Sequence, residues 1–162
     1  MSSQSILTVA AAILIAAPVA AAQPADTVDA FHAALQSGKA EAALKLLAPE
    51  ALIFEAGHVE RSAAEYAGGH LAGDAAYAAK TITRYSARRC LLGADQAVVA
   101  TETVSTARDG SDPRIGTETM VLSKAGADWR IAHIHWSSRK VAAGKPVPSA
   151  SSVAPGCSGK GV

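Results

Sequence analysis

Hydrophobic and polar positions along this chain change their period at one place, near residue 81. Before it, apolar residues recur at helical spacing. Val28, Phe31 and Leu35 fall on one face, and Asp26 or Thr27 stands where a cap is needed, so a helix is expected over 28–36. Ser37-Gly38 supplies its stop. A second helix is expected over 39–47, with Ala43, Leu44 and Leu47 inward, ending before Pro49. Residues 51–55 read as a strand, Gly57 as a turn and 58–60 as a short return strand. Ser62 and Glu65 have the spacing of a capping box, opening a helix that runs to Lys80. From Thr81 the period is two. Strands are expected over 81–92, 96–108, 114–124 and 129–138, joined by turns at 93–95, 109–113 and 125–128. Helices first and an antiparallel meander afterwards indicate an α+β fold with its helices on one side of the sheet.

The chain has 162 residues, and its two ends depart from these patterns. Ile6 to Val19 is apolar apart from Thr8, and Ala20-Ala21-Ala22 follows as a small-residue cleavage pattern. Residues 1–22 are therefore expected to be a secretory signal peptide, which makes the protein periplasmic or secreted. The domain is placed at 23–138. Residues 139–162, rich in Lys, Pro, Ser, Gly and Ala, read as a flexible tail. Fifteen basic residues against fourteen acidic ones argue against a nucleic-acid partner. No second apolar run reaches membrane-spanning length, so no membrane association is expected after cleavage. Cys90 and Cys157 are the two cysteines. Export permits a bridge between them, and the spacing alone leaves the pairing open.

The chemistry-bearing residues gather around two elements. His133 and His135 lie two apart in the last strand, which puts both imidazoles on one face. Regular alternation would place Trp129 and Ile131 with them, and Ile134 and Trp136 opposite. Tyr66, His70, Asp74 and Tyr77 form one stripe on the long helix. Glu118, in a strand beside Met120 and Leu122, needs a partner if buried. That partner is either a ligand-site group or Arg84 or Arg88 across the sheet. Asp74 reads as a surface charge, and His32, beside Phe31, is assigned no role.

The order helix, helix, strand, helix and meander, closing on Trp129-Arg130-Ile131-Ala132-His133-Ile134-His135-Trp136-Ser137-Ser138, resembles the SnoaL-like group of the nuclear transport factor 2-like superfamily. Glu118-Thr119, Trp129, Ile131, His133, His135 and Ser137 carry the resemblance. A similar ending occurs in the association domain of calcium/calmodulin-dependent kinase. The resemblance implies a cone-like, curved antiparallel sheet wrapped around helices, a pocket between the sheet and the long helix, and a homodimer through the outer face of the sheet. That superfamily holds isomerases, cyclases, dehydratases and proteins that only bind, so the fold alone does not fix activity.

Three functions follow as expectations. The first is a small organic ligand in a pocket lined by His133, His135, Tyr66, His70 and Glu118, with acid–base chemistry and no cofactor if the protein is an enzyme. The second is copper or zinc held by His133 and His135 together with His58 or His70. The third is a non-catalytic dimerisation or sensor domain with structural histidines. No phosphate-cradling glycine loop, zinc-spaced cysteine pair or nucleophile elbow is present in the sequence.

Overall fold

The computed structural model describes residues 23–157; the expected signal peptide lies outside them. In chain order the elements are α1 (Pro24–Gln36), α2 (Ala40–Leu44), β1 (Leu47–Glu55), β2 (His58–Glu60), α3 (Ala63–Gly68), α4 (Leu71–Lys80), β3 (Thr81–Leu92), β4 (Gln96–Ala107), β5 (Arg114–Ala125) and β6 (Asp128–Lys140). They make an α+β fold in which one six-stranded sheet, ordered β2-β1-β6-β5-β4-β3, curves without closing. The meander β3–β6 is antiparallel as its period-two pattern predicts. The sheet as a whole is mixed, which corrects the wholly antiparallel expectation. β1 lies parallel to β6, Ile53 opposite Ile134 and Glu55 opposite Trp136. Parallel neighbours need a long connection, and the segment from β2 to β5 between these two strands provides it.

Two extra residues bend the sheet. The register between β3 and β4 slips at Ser86, and that between β5 and β6 slips at Ala132. Each leaves one residue without an opposite number, which kinks the strand and raises its twist. The second bulge also reverses the alternation of β6. Trp129 and Ile131 face the core before it, and Ile134 and Trp136 face the core after it. His133 and His135 are therefore turned to the outer face, away from Trp129 and Ile131. That corrects the expectation of one uninterrupted alternation.

The expected helix over 62–80 is two helices. Ser62 does cap the first, its Oγ accepting from the Glu65 amide at 3.0 Å, while Glu65 accepts from the Arg61 amide at 2.6 Å. Gly69 then leaves helical conformation, with φ −109° and ψ −106°. A Cβ there would lie 3.1 Å from both Glu60 Oε1 and the Glu65 carbonyl oxygen, so the break depends on a small residue. α2 stops at Leu44 because Leu47 is drawn into pairing with Ile131. The β1–β2 hairpin turns on Ala56 and Gly57, both with positive φ, which is the backbone twist that a two-residue hairpin favours.

The core lies between α1 and the inner face of the sheet. Val28 and Phe31 of α1 are fully buried against Ile53, Val99, Met120, Leu122, Ile131 and Ile134. Each such side chain contributes about 1.5–3 kcal/mol of transfer free energy. The described part of the expected tail is tied down. Ser151 exchanges backbone hydrogen bonds with Tyr85 at 2.7 and 2.8 Å, and Cys157 is disulfide-bonded to Cys90. Neither contact is visible in the composition of the segment, which is what suggests flexibility. Among the described residues no helix is long and apolar enough to cross a membrane.

Candidate functional site

A cavity of about 680 Å³ lies between α1, α4 and the inner face of β3–β6. His32, Glu55, Asp74, Tyr85, Glu118 and Trp136 are among its walls, with the hydroxyl side chains of Thr83, Thr103 and Ser105 between them. Inner-face alternation brings Thr103 opposite Gly116 and Thr101 opposite Glu118. Gly116 has no room for a side chain, since a Cβ would stand 2.6 Å from Thr103 Oγ1. Tyr77 joins α4 to the sheet through its hydroxyl, 3.1 Å from Ser105 Oγ.

One side of the cavity is acidic. The β1–β6 register places Glu55 at the end of β1 beside Trp136, and α4 carries Asp74 to meet it. The Tyr66 hydroxyl donates to Asp74 Oδ2 at 2.7 Å. Burial, followed by the charge of Asp74, raises the Glu55 carboxyl above its ordinary value. Burial also raises Asp74, against the lowering effect of the Tyr66 hydrogen bond and of His70. Burial thus disfavours ionisation of both carboxyl groups, and an ionised Asp74 disfavours that of Glu55 further. Burial and the neighbouring carboxylates keep Tyr66 protonated, so it serves as a donor. Beside this pair, His70 Nδ1 is bonded to Glu60 Oε1, and the His58 ring lies 5.1 Å from the His70 ring. The Glu60 bond raises His70 above its ordinary value.

Two strands from Glu55 across the sheet, beyond Trp136, the cavity wall holds an ion pair. His32 Nε2 donates to Glu118 Oε2 at 2.7 Å, and Trp136 Nε1 donates to the same oxygen at 2.6 Å. Burial alone would lower His32, but the charge and hydrogen bond of Glu118, with the charge of Asp29, raise it. Burial alone would raise Glu118, but His32, the Trp136 donor and the Arg88 charge hold it below the usual carboxylate range. Arg88 itself is engaged bidentately by Asp29, at 2.7 and 3.1 Å, and its Nε reaches Thr101 Oγ1 at 3.4 Å. So Glu118 is paired with His32, neither with Arg84 nor directly with Arg88.

The residues singled out from the sequence separate into three places. Glu118 lines the cavity, and Tyr66 reaches it through Asp74. His58 and His70 lie together at the β2 side. His133 sits on the outer face, its Nδ1 2.8 Å from the Leu52 carbonyl oxygen and its ring 5.1 Å from Phe54. His135 has its ring 6.2 Å from Phe54 and is itself among the residues that line the cavity. The histidines expected to hold a metal, His133 and His135 with His58 or His70, thus form two separate pairs. Among the described residues no three His, Cys, Asp or Glu side chains are gathered to hold a metal ion. As well as His135, the cavity wall holds His32, which the sequence reading passed over. The signal was its spacing, four residues after Val28 and three before Leu35, on the buried stripe of α1. Asp74, read as a surface charge, is the acceptor for Tyr66.

Residues 25–141 match the SnoaL-like domain, and the chain belongs to that family. A candidate ketosteroid isomerase from Shewanella frigidimarina is 34% identical, with a TM-score of 0.66 over 69% of this chain and 92% of that one. An NTF2-like protein of unknown function from Pseudomonas putida is 14% identical, with a TM-score of 0.62 over 70% and 82%. The calcium/calmodulin-dependent protein kinase II hub of S. rosetta is 24% identical, with a TM-score of 0.61 over 73% and 98%. The last two are similar in fold alone. No curated protein matches the sequence.

Proposed function

We propose that the protein binds a small organic molecule in this cavity and moves a proton on it, as an isomerase does. The observation that carries the reading is the Glu55–Asp74 pair, two carboxyl groups whose ionisation is disfavoured, on the wall of a cavity of about 680 Å³. A carboxylate shifted toward neutral pH is matched to taking a proton from carbon and returning it. The likeness to a candidate ketosteroid isomerase points to the same chemistry.

In the proposed step, the ionised carboxylate of the pair removes a proton from the carbon between a carbonyl and a carbon–carbon double bond. The C–H electrons move into a dienolate. The proton returns at the far carbon, and the double bond becomes conjugated with the carbonyl. The other carboxyl group of the pair and the Tyr66 hydroxyl tune the base, and no cofactor takes part. The test is a β,γ-unsaturated cyclic ketone, with the conjugated product followed by its ultraviolet absorbance. Wild-type protein should turn it over, and Asp74→Asn should lower kcat by roughly 10²–10⁴-fold. No turnover by the wild type, or turnover unchanged in both Asp74→Asn and Glu55→Gln, would overturn the reading.

A second reading concerns assembly and can hold alongside the first. The outer face carries a row of neighbouring side chains, Leu91, Val98, Val121, His133 and Leu52, brought together by strand register. Leu91 is 56% exposed. Such a face suits a homodimer formed sheet to sheet, and the kinase hub is a structural neighbour. Export to an oxidising compartment is supported by the Cys90–Cys157 disulfide.

A further inference from the structure

The proton-transfer reading leaves one cavity group unused, the His32–Glu118 ion pair. Its chemistry bears on what kind of molecule the cavity holds. Glu118 is 7% exposed, and its Oε1 is buried without a hydrogen-bond partner in the protein. Its other oxygen is taken by His32 and Trp136. The carboxylate is therefore turned inward and offers no accessible acceptor. His32 keeps a quarter of its side chain exposed and lines the cavity. With Nε2 committed to Glu118, Nδ1 is the ring nitrogen left over, and it is a donor when the ring carries its second proton. Arg114, on the same inner face of β5, is a second cation on the wall, holding Ser138 Oγ at 3.0 Å. Two strands away on the same sheet, Glu55 and its neighbour Asp74 both have raised carboxyls, which disfavours their full ionisation. What the wall offers a ligand here is thus the spare ring nitrogen of His32, whose charge Glu118 balances, and the Arg114 guanidinium.

We propose that the cavity takes an organic anion, and that His32 is the specificity-determining residue that recognises its carboxylate. This rests on the reading of the cavity as the ligand site, and it adds the charge class of the ligand. The mechanism is a charge-assisted hydrogen bond from Nδ1–H to a carboxylate oxygen. Glu118 acts as a positioning residue, since it fixes the ring and favours its charged form.

The test compares two probes of one shape, 2-naphthoate and its neutral amide, 2-naphthamide, by calorimetric titration of the full chain at pH 6. Wild-type protein should bind the acid at least about tenfold more tightly than the amide. His32→Gln should remove that preference and leave amide binding in place, whereas Arg114→Gln should reduce it only in part. Equal affinities for the two probes in the wild type, no binding of either, or a preference that survives His32→Gln would each overturn the proposal. Ring-nitrogen NMR of the wild type keeps the test independent of whether the variant folds. The His32 signals should move with the acid and stay still with the amide, and movement with both or with neither counts against the proposal. Enone turnover that depends on Asp74 while the naphthoate preference fails would leave the proton-transfer reading standing and reject this one.

Discussion

Asp74 sits where function and stability pull in opposite directions. Burial raises its carboxyl above the ordinary 3.8, so the ionised form is disfavoured in the folded chain. For a group raised on folding, the stabilising contribution is fully present below the unfolded value and is lost as pH climbs through the folded one. At neutral pH an ionised Asp74 is thus a cost that the fold bears. Asp74→Asn removes that cost and keeps an acceptor for the Tyr66 hydroxyl. The expected result is a Tm above wild type at pH 7 that converges with wild type near pH 4, in the variant that has lost turnover. Thermal unfolding across that range checks it. The His32–Glu118 pair behaves the other way. Glu118 is lowered, so its share is present above its ordinary 4.5 and is lost as pH falls through the folded value. His32 is raised, so its share is present below its ordinary 6.5 and is lost as pH rises through the folded value. Between pH 4.5 and 6.5 both shares are complete. Glu118→Gln should therefore destabilise most in that window. The loss should be smaller than the roughly 3–5 kcal/mol seen on breaking a fully buried pair, because a quarter of His32 remains in contact with solvent. A destabilisation that does not vary with pH would contradict the pairing.

At the scale of elements, the tail strap is where a single bond decides most. The bridge joins residues 67 apart, closing a long loop in the unfolded chain, and it holds the strand segment at Ser151 against the β3 edge. Cys157→Ser should cost about 2–4 kcal/mol, read as a lower denaturant midpoint that reductant reproduces in the wild type and does not deepen in the variant. Neither the strap nor its pairing with Tyr85 has a local signal, since it depends on distant residues meeting. The same distinction explains what the sequence made legible elsewhere. Strands β3–β6 were readable to within two residues at their ends, because period-two alternation and turn residues are local. The parallel contact of β1 with β6 was not, because it joins segments that the rest of the fold must first bring together. Nor was Ala132, since one extra residue in β6 changes no composition yet turns His133 and His135 outward. The helix break at Gly69 was half legible: the glycines are visible, but their use depends on Glu60 arriving from β2. In the cavity, Glu118 and Tyr66 could be singled out as polar residues in buried patterns. Glu55, Asp74 and His32 could not, because what makes them a site is the neighbour that each acquires across the fold.

On the scale of the whole molecule, the bulge at Ala132 shapes both faces at once. It turns Trp136 inward to bond Glu118 in the cavity, and it leaves His133 outside against Phe54. The concave side therefore carries the cavity and its polar groups beside the core, and the convex side carries the row Leu91, Val98, Val121, His133 and Leu52. Val121 is central on the convex side, flanked by Val98 on one strand and His133 on the next. If two copies meet there, Val121→Asp buries an unpaired carboxylate in each half of the interface, and a symmetric contact doubles the penalty. A stable dimer of this size needs about 800 Å² from each partner. The wild type should sediment at twice the chain mass at micromolar concentration. Val121→Asp should sediment as a monomer, with unchanged circular dichroism and an intact naphthoate site. Because Val121 points away from the cavity, loss of ligand binding in the monomeric variant would mean that the two faces are energetically coupled through β5 and β6. A wild type that stays at monomer mass at all concentrations would remove the sheet-to-sheet dimer.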